Sequence, residues 1–419
     1  MAAIILLGLV LLALALRQNI IVILLGAAAY THLVWGDGRL EYLAEDIWIS
    51  LDSALLLAIP MFLLAGNVMT RGSIAARLIA LAVSLTKPFP GGLGVAAVLS
   101  CAIFAAICGS SPVTLLAVGT IMYPALLENG YGKRFALGAL TSSGTLGIII
   151  PPSIPLILYG IVTETSISDL FIAGIIPGIV IALVLAAYSV WVNRSIPPQR
   201  FDVDEFRSAL SAGIWSALLP VILLGGIYSG YFSATEAAAV ALVFALFVEI
   251  FIHRELRLID FYHTAVDTAK LLGMLFPIVA VALSIKTILT IEGIPDQLAL
   301  WVTTMTDNKI AFLLGVNLLL LVIGCLFDVI SAILILAPLL LVPAMSFGIN
   351  PVHFGIIMVI NLEIGFLTPP LGLNLIVAMT AFRARFLEIT RAVLPFVGLI
   401  LLVLMIVTFV PGMALMFVK

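Results

Sequence analysis

Apolar runs close to the length of a bilayer core follow one another along this chain from Ile4 to Val418. They lie over 4–35, 50–70, 92–127, 135–162, 169–192, 213–231, 234–252, 268–290, 310–345, 353–382 and 393–418, with polar breaks between them. About 20 residues of helix cross a hydrocarbon core of ~30 Å, whereas membrane strands show alternating segments of ~10 residues. The pattern predicts an all-α polytopic membrane protein. Composition agrees: 63% of the 419 residues are hydrophobic and 10% are charged, more apolar surface than a soluble domain can hide. The first segment has no basic n-region, and its apolar character resumes directly after Arg17-Gln18-Asn19, so it reads as mature membrane helix and not as a leader.

Other classes fall away on charge and residue type. The formal net charge of −3 and the lack of a basic run give nucleic acid nothing to bind. Cys101, Cys108 and Cys325 have no CxxC spacing, and His32, His253, His263 and His353 form no HExxH. A disulfide framework and a transition-metal site are therefore not expected, and the cysteines read as small buried hydrophobes.

The longest hydrophilic break, NRSIPPQRFDVDEFR (193–207), divides the chain into halves carrying the same landmarks. Pro124, Phe135, Gly147 and Pro151-Pro152 recur as Pro343, Phe354, Gly365 and Pro369-Pro370, at offsets of 218 or 219 residues; Pro60 and Pro277 pair at 217. Such internal repetition is a hallmark of transporter folds. Basic loops set the orientation. Arg71, Arg77, Lys87, Lys133-Arg134, Arg194, Arg200, Arg207, Arg254, Arg257, Arg383, Arg385 and Arg391 suit the cytoplasmic side, while 36–46, 163–169 and 291–296 suit the outside. Both bases of segment 92–127 then lie inside and both bases of 310–345 outside. Each segment reads as a re-entrant hairpin, and the two halves as an inverted-topology repeat.

Four breaks, in the two hairpins and in the helices that follow them, gather small, hydroxyl, carboxylate and proline residues. Cys108-Gly109-Ser110-Ser111-Pro112-Val113-Thr114 interrupts the first hairpin, and Phe327-Asp328-Val329-Ile330-Ser331 the second. The helix after each hairpin breaks too, at 141–153 and 361–374, around the double prolines. Freed backbone groups are tolerated at membrane depth only where they line a cavity or pack in protein. Ends of half-helices offer carbonyls to a cation and N–H groups to a carboxylate. Asp328 at that depth calls for a cation or donor partner. Glu363 could be a second cation ligand or a proton carrier, or could equally snorkel or bond to its own hairpin, and ranks below Asp328. Any single hydroxyl here could instead only back-bond to its own helix, and small residues could only allow close packing. Glu128, Asn129 and Arg71 read as loop and interface groups.

The strings GSSPVTLLAVGTIMYPAL, GTLGIIIPPSIPLILYG, TSISDLFIAGIIPG and APLLLVPAMSFGINPVHFGIIMVINLEIGFLTPPLGLNL resemble the large membrane (M) subunit of a tripartite ATP-independent periplasmic (TRAP) transporter. The similarity spans nearly the whole chain, and IPPSIP, TPPLGLN and INPVHFGIIMVINL are its most specific pieces. The resemblance implies a multi-pass protein of the bacterial inner membrane, with an elevator-type moving body on a fixed scaffold. It implies sodium as coupling ion, no other cofactor, and no enzymatic activity. Its partners would be a periplasmic substrate-binding protein and a small membrane (Q) subunit, the latter a separate chain because no extra four-helix segment precedes the large-subunit pattern. The cargo would be an organic acid anion such as a C4-dicarboxylate or sialic acid.

Carried over by position, the sodium-binding elements fall on Gly109, Ser110, Ser111 and Thr114, on Ser142, Ser143, Gly144, Thr145 and Gly147, and on Asp328, Ser331, Gly365, Thr368 and Gly372. Substrate-binding elements fall on Ser110, Ser111, Pro151, Pro152, Ser153, Pro369, Pro370 and Asn374. The expected organisation is N-terminal scaffold helices in 1–45, a first repeat in 46–192 with hairpin 92–127 and broken helix 135–162, and an inter-repeat loop in 193–212. Further scaffold helices follow in 213–260, then a second repeat in 261–419 with hairpin 310–345 and broken helix 353–382. Two other readings compete: a stand-alone sodium–dicarboxylate symporter, and a membrane-embedded enzyme using Asp328, Glu363 or a serine. The enzyme reading lacks a paired base near any candidate nucleophile.

Overall fold

The computed structural model describes residues 2–16, 18–36 and 38–418, and among these it contains helices and no strand. In order they are α1 (Ala2–Ala15), α2 (Ile20–Trp35), α3 (Glu41–Leu51), α4 (Ala58–Arg71), α5 (Ile74–Thr86), α6 (Gly92–Cys108), α7 (Ser111–Glu128), α8 (Lys133–Ser143), α9 (Leu146–Ile149), α10 (Ile154–Thr163), α11 (Ile167–Val192), α12 (Val203–Tyr228) and α13 (Ala234–Phe247). The second half continues with α14 (Leu258–Ile291), α15 (Ile294–Met305), α16 (Lys309–Leu326), α17 (Val329–Ser346), α18 (Pro351–Phe366), α19 (Leu373–Phe382), α20 (Phe386–Phe409) and α21 (Gly412–Leu415). Among the described residues ten helices or joined helical runs are long and apolar enough to cross a membrane. Large apolar side chains such as Leu183, Val221, Val243 and Leu318 stay exposed on the outer surface, which suits lipid as the solvent.

Several boundaries differ from those the sequence predicts. Segment 4–35 is two helices, with Asn19 capping α2 by accepting from the Ile21 N–H at 3.0 Å. The loop expected over 193–212 ends at Asp202. Its carboxylate accepts from the N–H groups of Asp204 and Glu205 at 2.9 and 3.1 Å and starts α12 there, so 203–212 is helical. The remaining strap is pinned under α5: the Gly91 N–H donates to Ile196 O, the Gln199 N–H donates to Lys87 O, and Lys87 pairs with Glu205. The expected divisions at 45/46, 212/213 and 260/261 each fall inside a helix, α3, α12 and α14 respectively. Part of the predicted outer loop 36–46 is the start of α3.

Two helical hairpins are evident from their own contacts. At the base of α6–α7 the Leu93 N–H donates to the Tyr131 hydroxyl at 3.1 Å. At the base of α16–α17, Lys309 Nζ donates to Gly348 O at 3.2 Å and the Phe312 and Phe347 rings stack 4.6 Å apart. Each pair therefore starts and finishes at one end of the molecule. The helices following them are broken at Pro151-Pro152 and at Pro369-Pro370, both joined by cis peptide bonds.

The hairpins and broken helices form an inner body in which the halves interlock. There α7 packs on α19, α10 on α17, α8 on α20 and α11 on α18. Tyr159, fully buried, donates its hydroxyl to Pro351 O at 2.8 Å across the halves, and Gly355 passes so close to its ring that a Cβ would sit 2.7 Å away. Around this body run α2 to α5 and α12 to α14, joined as α13 on α4, α12 on α5, and α2, α3 and α4 on α14. The 34 residues of α14 extend about 51 Å, well beyond a ~30 Å core.

Candidate functional site

The first hairpin reverses in two residues. Gly109 ends α6 in the left-handed region, φ 61°, and a Cβ there would meet Pro152 O at 2.8 Å, so conformation and space both require glycine. Ser110 is extended, and Pro112 occupies the first turn of α7, where its missing N–H costs nothing. The Gly109 carbonyl accepts from the Ile154 N–H at 3.2 Å, tying the tip to the linker of the broken helix. Gly147 brings its backbone against the same tip, since a Cβ would lie 2.6 Å from both Ser110 O and Thr114 Oγ1.

The second hairpin repeats the arrangement. The Cys325 carbonyl accepts from the Leu371 N–H at 3.2 Å, and Gly365 abuts Gly324 backbone to backbone, with only 2.3 Å between its Cβ position and the Gly324 carbonyl carbon. The tips differ in one respect. Asp328 is the N-cap of α17, accepting from the Ser331 N–H at 2.9 Å, whereas Ser110 makes no side-chain cap for α7. The partner that Asp328 requires is therefore its own helix N-terminus, through a hydrogen bond and the favourable end of the helix dipole.

Oxygen groups accumulate where the first tip meets its broken helix. Among the described residues the buried hydroxyls of Thr141, Ser142 and Ser143, at the C-terminal end of α8, have no hydrogen-bond partner, and neither does the Ser331 hydroxyl. Thr145 donates to Ser142 O at 2.5 Å, and the hydroxyl of Thr114 meets Cys108 Sγ at 3.0 Å. Buried polar atoms without partners are costly, and hydroxyl and carbonyl oxygens at a helix C-terminus are the donors a hard cation takes. No cluster of three or more His, Cys, Asp or Glu side chains suited to a metal occurs among the described residues.

The two double-proline linkers are not equivalent. Pro151, Pro152 and Ser153 are buried; Ser153 donates to Ile148 O at 2.6 Å and accepts from the Leu156 N–H at 3.4 Å, stitching α9 to α10. These three expected substrate contacts thus face protein. Pro369, Pro370 and Leu371 are exposed, while Ser110, Asp328 and Thr368 are half-buried. Thr368 back-bonds to Ile364 O at 2.8 Å, and Gly372, at φ 54°, starts α19. Open space reaches the second linker and parts of both tips.

Sequence reasoning under-ranked Glu363. Its carboxylate, 1% exposed, accepts from the Ser111 hydroxyl at 2.6 Å and the Asn374 amide at 3.1 Å, and that amide also donates to Ser111 Oγ at 2.5 Å. Three side chains up to 263 residues apart in sequence thereby join the first hairpin to the second broken helix. Alongside them, Asn361 donates to Asn317 O and Asn317 Oδ1 at 3.1 and 2.7 Å, binding α18 to α16. A glutamate within an apolar helical run, two residues before Gly365, was the signal available in sequence.

The family profile described as "Tripartite ATP-independent periplasmic transporter, DctM component" matches residues 5–413. The C4-dicarboxylate TRAP transporter large permease protein DctM of Pseudomonas aeruginosa is 42% identical over 392 residues, covering 93% of this chain and 92% of that one. The isethionate TRAP transporter permease protein DctMQ of Oleidesulfovibrio alaskensis is 40% identical over 395 residues; 93% of this chain matches, but only 62% of that longer protein's length is spanned. Of solved structures, the YdaH transporter of Alcanivorax borkumensis superposes with a TM-score of 0.66 at 15% identity, over 91% of this chain and 90% of that one. MtrF of Neisseria gonorrhoeae gives 0.63 at 14%, over 90% and 85%. At such identities these two likenesses concern the fold alone. The chain belongs to the DctM family, the large permease components of tripartite ATP-independent periplasmic transporters, and is a multi-pass inner-membrane transport protein, not an enzyme.

Proposed function

We propose that this permease imports an organic acid anion, such as a C4-dicarboxylate or sialic acid, by coupling it to sodium entry in an inverted-repeat, elevator-type cycle. The observation that carries the reading is the set of buried, unpartnered hydroxyls of Ser142 and Ser143 on the broken helix whose Gly144 and Gly147 abut Leu115, Ser110 and Thr114 of the first hairpin. Sodium bound there would draw the Ser110 and Thr114 oxygens and the α8 terminus together. The inverted arrangement is supported by two hairpins whose bases close at one end each, and by basic loops that put those ends on opposite sides. The moving body would be α6 to α11 with α16 to α20, and the scaffold α2 to α5 with α12 to α14.

The open tip of α7, uncapped by Ser110, offers N–H groups to a substrate carboxylate, and the exposed Pro369-Pro370 linker borders the same route. At the other hairpin Asp328 already fills the corresponding place. Relatives are named for C4-dicarboxylates, isethionate, ectoine and 2,3-diketo-L-gulonate, all small organic solutes. A separate small membrane subunit and a periplasmic binding protein complete the system; the isethionate relative, named DctMQ and longer than this chain, supports the first of these. The test is uptake into vesicles holding this permease with its small subunit and binding protein. An inward sodium gradient should drive accumulation, and S142A/S143A should weaken the sodium dependence. Uptake indifferent to sodium would refute the coupling.

A further inference from the structure

Glu363 is buried without a countercharge. Its Oε1 receives both available hydrogen bonds, from Ser111 and Asn374, while Oε2 has no partner among the described residues. It makes no ion pair there: every salt bridge of the described chain lies elsewhere. The Asn374 amide spends its N–H groups on Ser111 and Glu363, and its Oδ1, in a fully buried side chain, is also without a partner. A carboxylate at membrane depth costs several kcal/mol unless something positive offsets it. The partners on hand are neutral, and the C-terminal end of α18, three residues on at Phe366, adds partial negative charge.

We propose that Glu363, with the side-chain oxygens of Asn374 and Ser111, forms a sodium site at the contact between the first hairpin and the second broken helix. The two unpartnered oxygens, Glu363 Oε2 and Asn374 Oδ1, are hard donors of the kind sodium takes, and one monovalent cation neutralises the carboxylate. The site differs from the Ser142–Ser143 region in having a formal charge and in joining the two halves. Ion binding here would fasten the α7 tip to α19, which makes the contact between halves dependent on the coupling ion. The inference rests on the sodium-coupled reading above.

Thermal unfolding of the purified permease with its small subunit, titrated with sodium chloride against choline chloride, tests it without requiring transport. Binding to the folded state raises the midpoint with concentration. The parent should show a sodium-specific rise. In the near-isosteric Glu363→Gln variant, loss of the charged ligand should raise the half-saturating sodium concentration roughly tenfold or more. Ser111→Ala, which leaves the carboxylate, should shift it in the same direction by less, and serves if the glutamine variant does not fold. A sodium titration in both variants identical to the parent's overturns the Glu363 site while leaving sodium coupling intact. No sodium-specific rise in the parent overturns the coupling itself. If the sodium titration is unchanged and a pH dependence of uptake disappears in Glu363→Gln, the neutralising cation is a proton and the proposal fails.

Discussion

Among the described residues, one ion pair ties the inner body to the surrounding helices. Glu164, at the corner between α10 and α11, accepts from Lys286 of α14 at 2.8 Å, with the two side chains 82% and 20% exposed. If the inner body slides against α14, this contact cannot survive, so it favours the arrangement described here over any other in the cycle. Its worth is limited by solvent: a pair with one partner so open contributes ~0.2–1 kcal/mol. Glu164→Gln should therefore shift the balance between arrangements by up to about fivefold and no more. The measurement is the distance distribution between probes at Ser166 and Thr290, both exposed, on single-site variants, the double variant and the charge swap Glu164→Lys/Lys286→Glu. Each single variant should broaden the distribution equally, the double should add nothing, and the swap should restore the parent. At 1 M salt, where screening acts within ~3 Å, the parent should move towards the variants. Lys286 holds the Glu164 carboxyl below the ordinary carboxylate value of 4.5, so its contribution is complete above that value and fades only as pH falls further. The distribution should be flat from about pH 6 upward for this pair, roughly 1.5 units or more above the carboxylate range. Additive single effects, or a swap that restores nothing, would refute the idea of a latch.

Further tests address packing and capping. Gly365→Ala should destabilise by about 3 kcal/mol or more, because its Cβ would strike the Gly324 backbone, while Gly324→Ala, whose nearest neighbour is Leu362 O at 3.0 Å, should cost less; thermal midpoints rank the two. Glu249, fully buried, caps α5 by accepting from the Ile74 N–H at 2.7 Å; Glu249→Ala should cost ~1–3 kcal/mol in stability and leave the sodium titration unchanged. Ser153→Ala, losing both the cap of α10 and the bond to Ile148 O, should lower stability by ~0.5–2 kcal/mol, measured by the unfolding midpoint.

What sequence could reveal of the fold followed from the strength of two signals. Length and polarity fix membrane helices because lipid punishes every alternative, and Gly-Ser or Pro-Pro within an apolar run marks a break because neither supports a continuous ladder. The hairpins observed at 92–128 and 309–346 thus differ from expectation by a residue or two. Hydrophilicity misled where a helix leaves the membrane. The string RFDVDEF looks like loop, yet Asp202 followed by Asp204 and Glu205 is a helix start, with acidic groups at its N-terminus. The same rule explains Asn19 before α2 and Asn350 before α18, the latter accepting from Val352 N–H at 2.8 Å.

At the site, local and non-local evidence separate. In sequence Glu363 ranks below Asp328 because its carboxylate could snorkel or bond to its own hairpin; buried, it bonds instead to Ser111 of the first hairpin and to Asn374. Position within the helix distinguishes the two carboxylates. Asp328 stands directly before α17, where its own backbone N–H groups supply donors, so a charge there has a local remedy legible in the order Asp328-Val329-Ile330-Ser331. Glu363 lies inside α18, where every nearby N–H is already committed to the helix and only distant chain can supply a partner. A carboxylate mid-helix in a buried segment therefore carries the stronger demand for an external partner. Ser111 and Asn374 meet part of it, and the oxygens they leave unpaired are the reason to look for an ion between the two halves.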